Sequence, residues 1–318
     1  MLDSQDCRQA RAGVRPGWMD FIAVVLACIF PTATAHAEPR VVELAQADRT
    51  LLANLGEADG KGKDAPLVLM VHGTFAHKDM ELMKALQTAL QERGVHSLAV
   101  TLSYGQDRRK GPRDCKLPIT DTYADAREEI SAWIKWLSEQ GFQNTVLLGH
   151  SRGGARVAEF LSLNGKSNRI KGAVLLAPAT EKPGRFAREY RGSFSGGELT
   201  AFKSRLAAAG DDEMFDLPGF LYCPKARASA GAIRAYYGDK QVRDTPTLLK
   251  GIHQTDVLVI AAGADAVIKN LPEAMVPLSG AKNISFKTVD DADHLLLDFF
   301  AEDAADLIAG FTQKIAGH

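Results

Sequence analysis

Gly149-His150-Ser151-Arg152-Gly153-Gly154, entered from the apolar run Thr145-Val146-Leu147-Leu148, is the stretch on which the reading of this 318-residue chain turns. A serine hydroxyl attacks a carbonyl only if it is exposed, held rigid and close to a base, and a sharp strand-to-helix turn presents it that way. The glycines on either side of Ser151 follow from that geometry, because a side chain there would strike the neighbouring strand or helix. In a chain with 28 glycines the five-residue pattern alone carries little weight. The strand before it and the helix after it give it meaning.

Outward from this turn, strand and helix patterns alternate. Arg40 to Ala58 reads as a hairpin, and Pro66 to Val71 is a continuous apolar run of the kind buried on both faces. Met80 to Arg93 has helical spacing through Leu82, Leu86 and Leu90, His96 to Leu102 is strand, and Tyr123 to Gln140 is an amphipathic helix. After the turn come helix Arg152 to Leu163, strand Gly172 to Ala177, strand Asp256 to Ala262 and helix Ala266 to Met275. Strand Ile284 to Val289 and helix Leu297 to Ile315 close the chain. The pattern predicts an α/β fold, with a mostly parallel central sheet and helices on both faces. One stretch breaks the rhythm. The segment from about 181 to 254 is far longer than a βα loop and holds helix-like pieces, Glu198 to Ala209 and Ala226 to Tyr237, which predicts a helical cap or lid over the carboxyl edge of the sheet.

A nucleophilic serine needs a histidine base and an acid to orient it, in the chain order Ser, Asp/Glu, His. Among histidines beyond residue 151, His253 precedes a strand and faces the opposite edge, and His318 is the terminus. His294 follows the last strand, on a loop at the same edge as Ser151, and is the expected base. Asp265, directly after the strand Val257 to Ala261, is the expected acid and is equally suited to cap the turn that follows it. Asp290, Asp291 and Asp293 are the alternatives by proximity. The oxyanion of an acyl-transfer intermediate requires two backbone N–H donors. Arg152, at the helix N-terminus, is one candidate, and Thr74 in Val71-His72-Gly73-Thr74-Phe75 is the other, with Gly73 permitting a close backbone approach.

The first residues have the layout of a secretory signal peptide: Arg8, Arg11 and Arg15, an apolar block Phe21 to Phe30, then Ala35-His36-Ala37. The apolar block is too short to span a bilayer, which takes about 20 residues. A lipoprotein signal at Val25-Leu26-Ala27-Cys28 is the alternative. Residues 1–37 are therefore set apart, leaving 38–318 as one domain in an exported, periplasmic or secreted protein. Cys115 and Cys223 are the thiols that remain, and in an oxidising compartment they are expected to form a disulfide tying the loop after His96 to Leu102 to the cap. The net charge of −1 gives no sign of nucleic-acid binding, and no spacing suggests a metal or another cofactor. A basic run holding Arg108, Arg109, Lys110, Arg113 and Lys116 reads as a solvated loop or as a positive rim for an anionic substrate.

Elbow, histidine, acid and His-Gly loop, in this order and on these elements, resemble the α/β-hydrolase superfamily over nearly the whole of residues 38–318, and in detail its exported bacterial members. The resemblance implies that Ser151 attacks an acyl carbonyl, His294 carries the proton, Asp265 fixes the imidazole tautomer and water releases the acyl-enzyme. A carboxylic ester or thioester of small-molecule size is the implied substrate. Peptidase or amidase action on small peptides and a catalytically silent binding protein on the same fold remain the alternatives, and the oligomeric state is open.

Overall fold

The computed structural model describes residues 37–165, 169–181, 184–190, 193, 196–238 and 244–317. The expected signal peptide lies outside them, apart from its last residue. In chain order the elements are β1 (Arg40–Gln46), β2 (Arg49–Gly56), β3 (Leu67–Val71), α1 (Glu81–Glu92), β4 (His96–Thr101), α2 (Tyr123–Glu139), β5 (Thr145–His150), α3 (Arg152–Asn164) and β6 (Ile170–Leu176). There follow α4 (Arg185–Tyr190), α5 (Gly196–Ala208), β7 (Met214–Phe220), β8 (Cys223–Ser229), α6 (Ala230–Tyr237) and α7 (Thr245–Leu249). The last are β9 (Asp256–Ala262), α8 (Leu271–Met275), β10 (Ile284–Val289) and α9 (Phe299–Ala316).

Eight strands form one sheet in the order β1-β2-β4-β3-β5-β6-β9-β10. The hairpin β1–β2 joins antiparallel at the β4 edge, and every other neighbour pair is parallel. Strand β3 is wholly buried, and its side chains divide by parity, as the pleat requires. Leu67, Leu69 and Val71 pack with Ile130 and Trp133 of α2 and Val157 of α3, whereas Val68 and Met70 pack with Leu82, Met83 and Leu86 of α1 and Ala304 of α9. The sheet is thus covered on both faces. Helix α2 starts where Thr122 and Asp125 form a capping box, each side chain bonding the other's backbone N–H.

The topology places the site. Strand β4 lies on one side of β3 and β5 on the other, so the loops leaving β3 and β5 diverge at a switch point, where ligands bind in open α/β sheets. Val71 pairs with Gly149, which sets the loop after β3 beside the turn after β5. Val289 pairs with Ala262, and the N–H of Ala264 donates to the carbonyl of Ala292 at 2.8 Å, which brings the loops after β9 and β10 together.

Between β6 and β9 the insertion is only partly helical. Ala226–Ser229, expected to be helix, belongs to β8, and helix begins at Ala230. The reason is alternation: Ala226 and Ala228 are buried while Lys225 and Arg227 are exposed, a period of two that suits the β7–β8 hairpin. Phe186, Phe202, Phe215, Phe220 and Tyr237 give the insertion an aromatic interior, with Phe186 stacked on Phe202 at 5.5 Å between ring centroids. The hairpin is fastened to the loop after β4 by the Cys115–Cys223 disulfide and by backbone bonds, Ile119 N–H to the Arg227 carbonyl (2.8 Å) and Ser229 N–H to that of Ile119 (2.9 Å). The helix expected from Ala266 to Met275 shortens to α8, because the first half of that stretch is turn.

Candidate active site

Ser151 sits between β5 and α3 with φ 54° and ψ −122°, a left-handed conformation that costs a residue with a Cβ about 1–3 kcal/mol. The surrounding packing imposes it. A Cβ at Gly149 would lie 2.3 Å from the Gly153 carbonyl oxygen, and one at Gly153 would lie 2.3 Å from the carbonyl oxygen of Val71. Both glycines are therefore fixed by close backbone approach across a turn of this sharpness.

The loops after β9 and β10 bring the other two expected residues to the serine. His294 Nε2 lies 2.9 Å from Ser151 Oγ, and His294 Nδ1 lies 2.7 Å from Asp265 Oδ2. All three are buried to less than a tenth exposed. The carboxylate accepts from Nδ1–H, which leaves the Nε2 lone pair facing the serine hydroxyl. Asp265 does two jobs at once, because its other oxygen accepts the N–H groups of Val267 (2.7 Å) and Ile268 (2.8 Å) and so holds its own turn. Of the alternative acids, Asp293 is occupied in accepting the N–H groups of Leu295 and Leu296.

Two further histidines, quoted in the sequence only as parts of the elbow and of the His-Gly loop, brace this arrangement. His150 Nε2–H donates to the carbonyl of His294 at 2.9 Å, tying the loop after β10 to the serine turn. Burial, with a smaller contribution from His294, pushes the His150 pKa down to about 4, so the ring stays neutral. His72 is held well below its ordinary pKa by burial and then by the charge of Arg109. Its Nε2 accepts from Leu102 N–H and Arg109 Nη2–H, both at 3.1 Å, and its Nδ1–H donates to the Gly73 carbonyl at 2.8 Å. In a trans peptide the carbonyl and the next N–H point in opposite directions, so the Thr74 N–H is turned away from His72. Neither that N–H nor the N–H of Arg152 is taken by a hydrogen bond among the described residues. The N–H of Phe75 is taken, by the hydroxyl of Tyr104 at 3.2 Å.

The Arg152 side chain is also buried. Its Nε–H donates to Thr74 Oγ1 at 3.0 Å, and its Nη1 reaches the Tyr123 hydroxyl at 3.0 Å and the carboxylate of Glu181, which Arg185 also engages. One turn along α3, Arg156 bonds the hydroxyls of Tyr104 (2.9 Å) and Tyr236 (2.6 Å), and Tyr236 in turn donates to Asp121 Oδ2 (2.6 Å). Both arginines lie in a helix whose first ten residues are all buried; their spacing of four, which sets them on one face, is readable in the sequence, and their burial is not. The basic run after β4 is only partly solvated, with Arg108, Lys110 and Lys116 exposed. Arg109 and Arg113 turn inward, Arg109 to the carbonyls of Leu102 (2.8 Å) and Ala76 (2.6 Å), Arg113 to that of Pro118 (2.6 Å). Among the described residues no group of histidine, cysteine or carboxylate side chains has the geometry to hold a metal ion.

A family model described as "Alpha/beta hydrolase family" matches residues 68–310. No curated protein sequence matches the chain. Among solved structures it is similar to Est1E from Butyrivibrio proteoclasticus, with a TM-score of 0.60 at 17% identity over 87% of this chain and 99% of that one. It is similar also to the monoacylglycerol lipase of Paleococcus ferrophilus, with a TM-score of 0.55 at 16% identity over 83% of this chain and 99% of that one. The soluble variant of monoglyceride lipase from Saccharomyces cerevisiae superposes with a TM-score of 0.59 at 13% identity, over 90% of this chain and 98% of that one. At these identities the likeness is one of fold.

Proposed function

The chain belongs to the alpha/beta hydrolase family, and on that premise we propose that it is a serine hydrolase cleaving a carboxylic ester or thioester of small-molecule size. The observation that carries this reading is the line Ser151 Oγ, His294 and Asp265, with contacts of 2.9 and 2.7 Å. In the reaction, His294 Nε2 takes the hydroxyl proton as Ser151 Oγ bonds to the acyl carbon. Asp265 stabilises the imidazolium without becoming protonated. The carbonyl oxygen gathers negative charge beside the N–H groups of Thr74 and Arg152. Collapse of the tetrahedral intermediate expels the alkoxide or thiolate, which receives the proton from His294, and a water activated by the same ring then releases the acid.

Within the same proposal, residues 181–254 cap Ser151, and residues 1–37 direct export. The disulfide between Cys115 and Cys223 supports an oxidising compartment, and no helix among the described residues is long and apolar enough to cross a membrane. Ester or thioester substrates are preferred over peptides, because Glu181, the carboxylate bonded to the guanidinium of Arg152, is already shared between two arginines and so is not available to anchor a substrate amine. A panel of activated esters, thioesters and amino-acid amides tests the assignment on purified protein and Ser151→Ala. Hydrolysis of esters or thioesters by the parent alone is expected. Turnover of amides only would move the reading to the peptidases, and turnover by Ser151→Ala equal to the parent would remove the serine mechanism.

A further inference from the structure

Arg152 is the residue after the nucleophile, so its backbone N–H is one of the two oxyanion donors in the serine-hydrolase reading, on which the present inference rests. Its side chain runs back to the residue that carries the other. The Nε–H meets Thr74 Oγ1 at 3.0 Å, and Nη1 is held by Tyr123 of α2 at 3.0 Å and by Glu181 in the loop after β6. Burial works against this charge, but Tyr123 and Glu181 outweigh it and keep the guanidinium above its ordinary pKa. A planar guanidinium bonded on both edges has little freedom to rotate. Thr74, in contrast, lies in the turn Gly73 to Ala76, closed by a long bond from the Ala76 N–H to the Gly73 carbonyl (3.4 Å) and held beside it by His72 and by the Phe75 N–H, while its own N–H has no partner among the described residues.

We propose that the Arg152 side chain is a positioning residue that sets the spacing between the Thr74 and Arg152 N–H donors, acting through Thr74 Oγ1. The guanidinium serves as a strut from the nucleophile helix to the loop after β3. Its charge is paired with Glu181, which Arg185 also engages, and a change at Thr74 that leaves these charges in place isolates the geometric contribution. Geometry of this kind is costly to lose. Displacing a catalytic group by about 1 Å lowers turnover by roughly a hundredfold, and removing an oxyanion donor lowers it by about 10²–10³-fold.

The test compares acylation rates by an alkyl fluorophosphonate, together with kcat and KM on an activated ester, for the parent, Thr74→Val, Thr74→Ser, Arg152→Met and the double variant Thr74→Val/Arg152→Met. Thr74→Val leaves the backbone N–H and the Arg152–Glu181 pair in place, and remains informative even if Arg152→Met, which removes one of the two arginine partners of Glu181, does not fold. Expected are a fall of roughly 10- to 100-fold in acylation rate and kcat for Thr74→Val with KM nearly unchanged, and rescue to within about threefold by Thr74→Ser. The double variant should be no slower than the slower single variant, because both break one strut. Thr74→Val at the parental rate, or rate losses in the two single variants that multiply in the double variant, would overturn the proposal. A parent that does not react with the fluorophosphonate, by contrast, would show that the serine-hydrolase reading itself is wrong.

Discussion

Replacing Gly153 by Ala sets two effects of known size against each other. Gly153 is the second residue of α3 and has no positive φ, so helix propensity alone would favour Ala by about 1 kcal/mol. Packing opposes it. The added Cβ would lie 2.3 Å from the Val71 carbonyl oxygen and 2.5 Å from that of His72, where an ordinary carbon–oxygen contact is about 3.3 Å, so backbone must move by about 1 Å. Strand β3 is bonded on both sides, to β4 and β5, so the movement falls on the serine turn or on His72-Gly73-Thr74. Either way the distance between Ser151 and Thr74 changes, and a fall in kcat/KM of roughly a hundredfold is expected. Overpacking of about 1–3 kcal/mol, less the propensity gain of about 1, leaves a net stability loss of about 0–2 kcal/mol. Gly310→Ala is the control: it lies in α9 with no neighbouring atom within 4 Å of the added Cβ, and it should be stabilised by about 1 kcal/mol with unchanged activity. Initial rates on an activated ester and thermal melts of the two variants decide the matter. Gly153→Ala with parental kcat/KM and a raised melting temperature would refute the close-approach argument.

Cys115→Ser/Cys223→Ser opens a loop of 108 residues and should lower unfolding free energy by about 4–5 kcal/mol in urea titrations while sparing activity, because the backbone bonds of Ile119 and the Tyr236–Asp121 contact still hold the hairpin; a loss of activity with unchanged stability would contradict this. Burial pushes the Glu129 carboxyl from 4.5 up to about 7, so the folded chain keeps a proton that the unfolded chain has released, and the stability owed to this group is complete below about pH 4.5 and lost as pH rises through about 7. The loss amounts to about 3 kcal/mol. Glu129→Gln should flatten that fall in urea midpoints, and an equal fall in parent and variant would count against the assignment. Hydrogen exchange should be faster in α5 than in the disulfide-tied hairpin β7–β8; equal protection would argue that the whole insertion is one rigid unit.

Much of this was legible in the sequence because it rests on local chemistry. The run through Ser151 carries its own strand, turn and helix, Asp265 and His294 lie three and five residues past the ends of β9 and β10, and the odd–even burial of β3 appears as a continuous apolar run. What was hidden depends on partners distant in the chain. Ala226 and Ala228 favour helix locally, and only pairing with β7 converts them to strand. Arg109 and Arg113 look like solvated charges until the loop folds back so that carbonyls from Leu102, Ala76 and Pro118 receive them. His150 and His72 brace the site through backbone carbonyls, and Arg152 meets Tyr123 and Glu181 from two other elements, contacts that no local pattern encodes.

The role of Ser151 as nucleophile is tested most directly by mass spectrometry of the intact folded protein after treatment with a fluorophosphonate, followed by peptide mapping of the adduct. The expected result is a single phosphonyl group on Ser151, formed far more slowly in His294→Ala and absent from Ser151→Ala. An adduct on any other residue, or none on the folded parent protein, would contradict the catalytic line from Ser151 through His294 to Asp265.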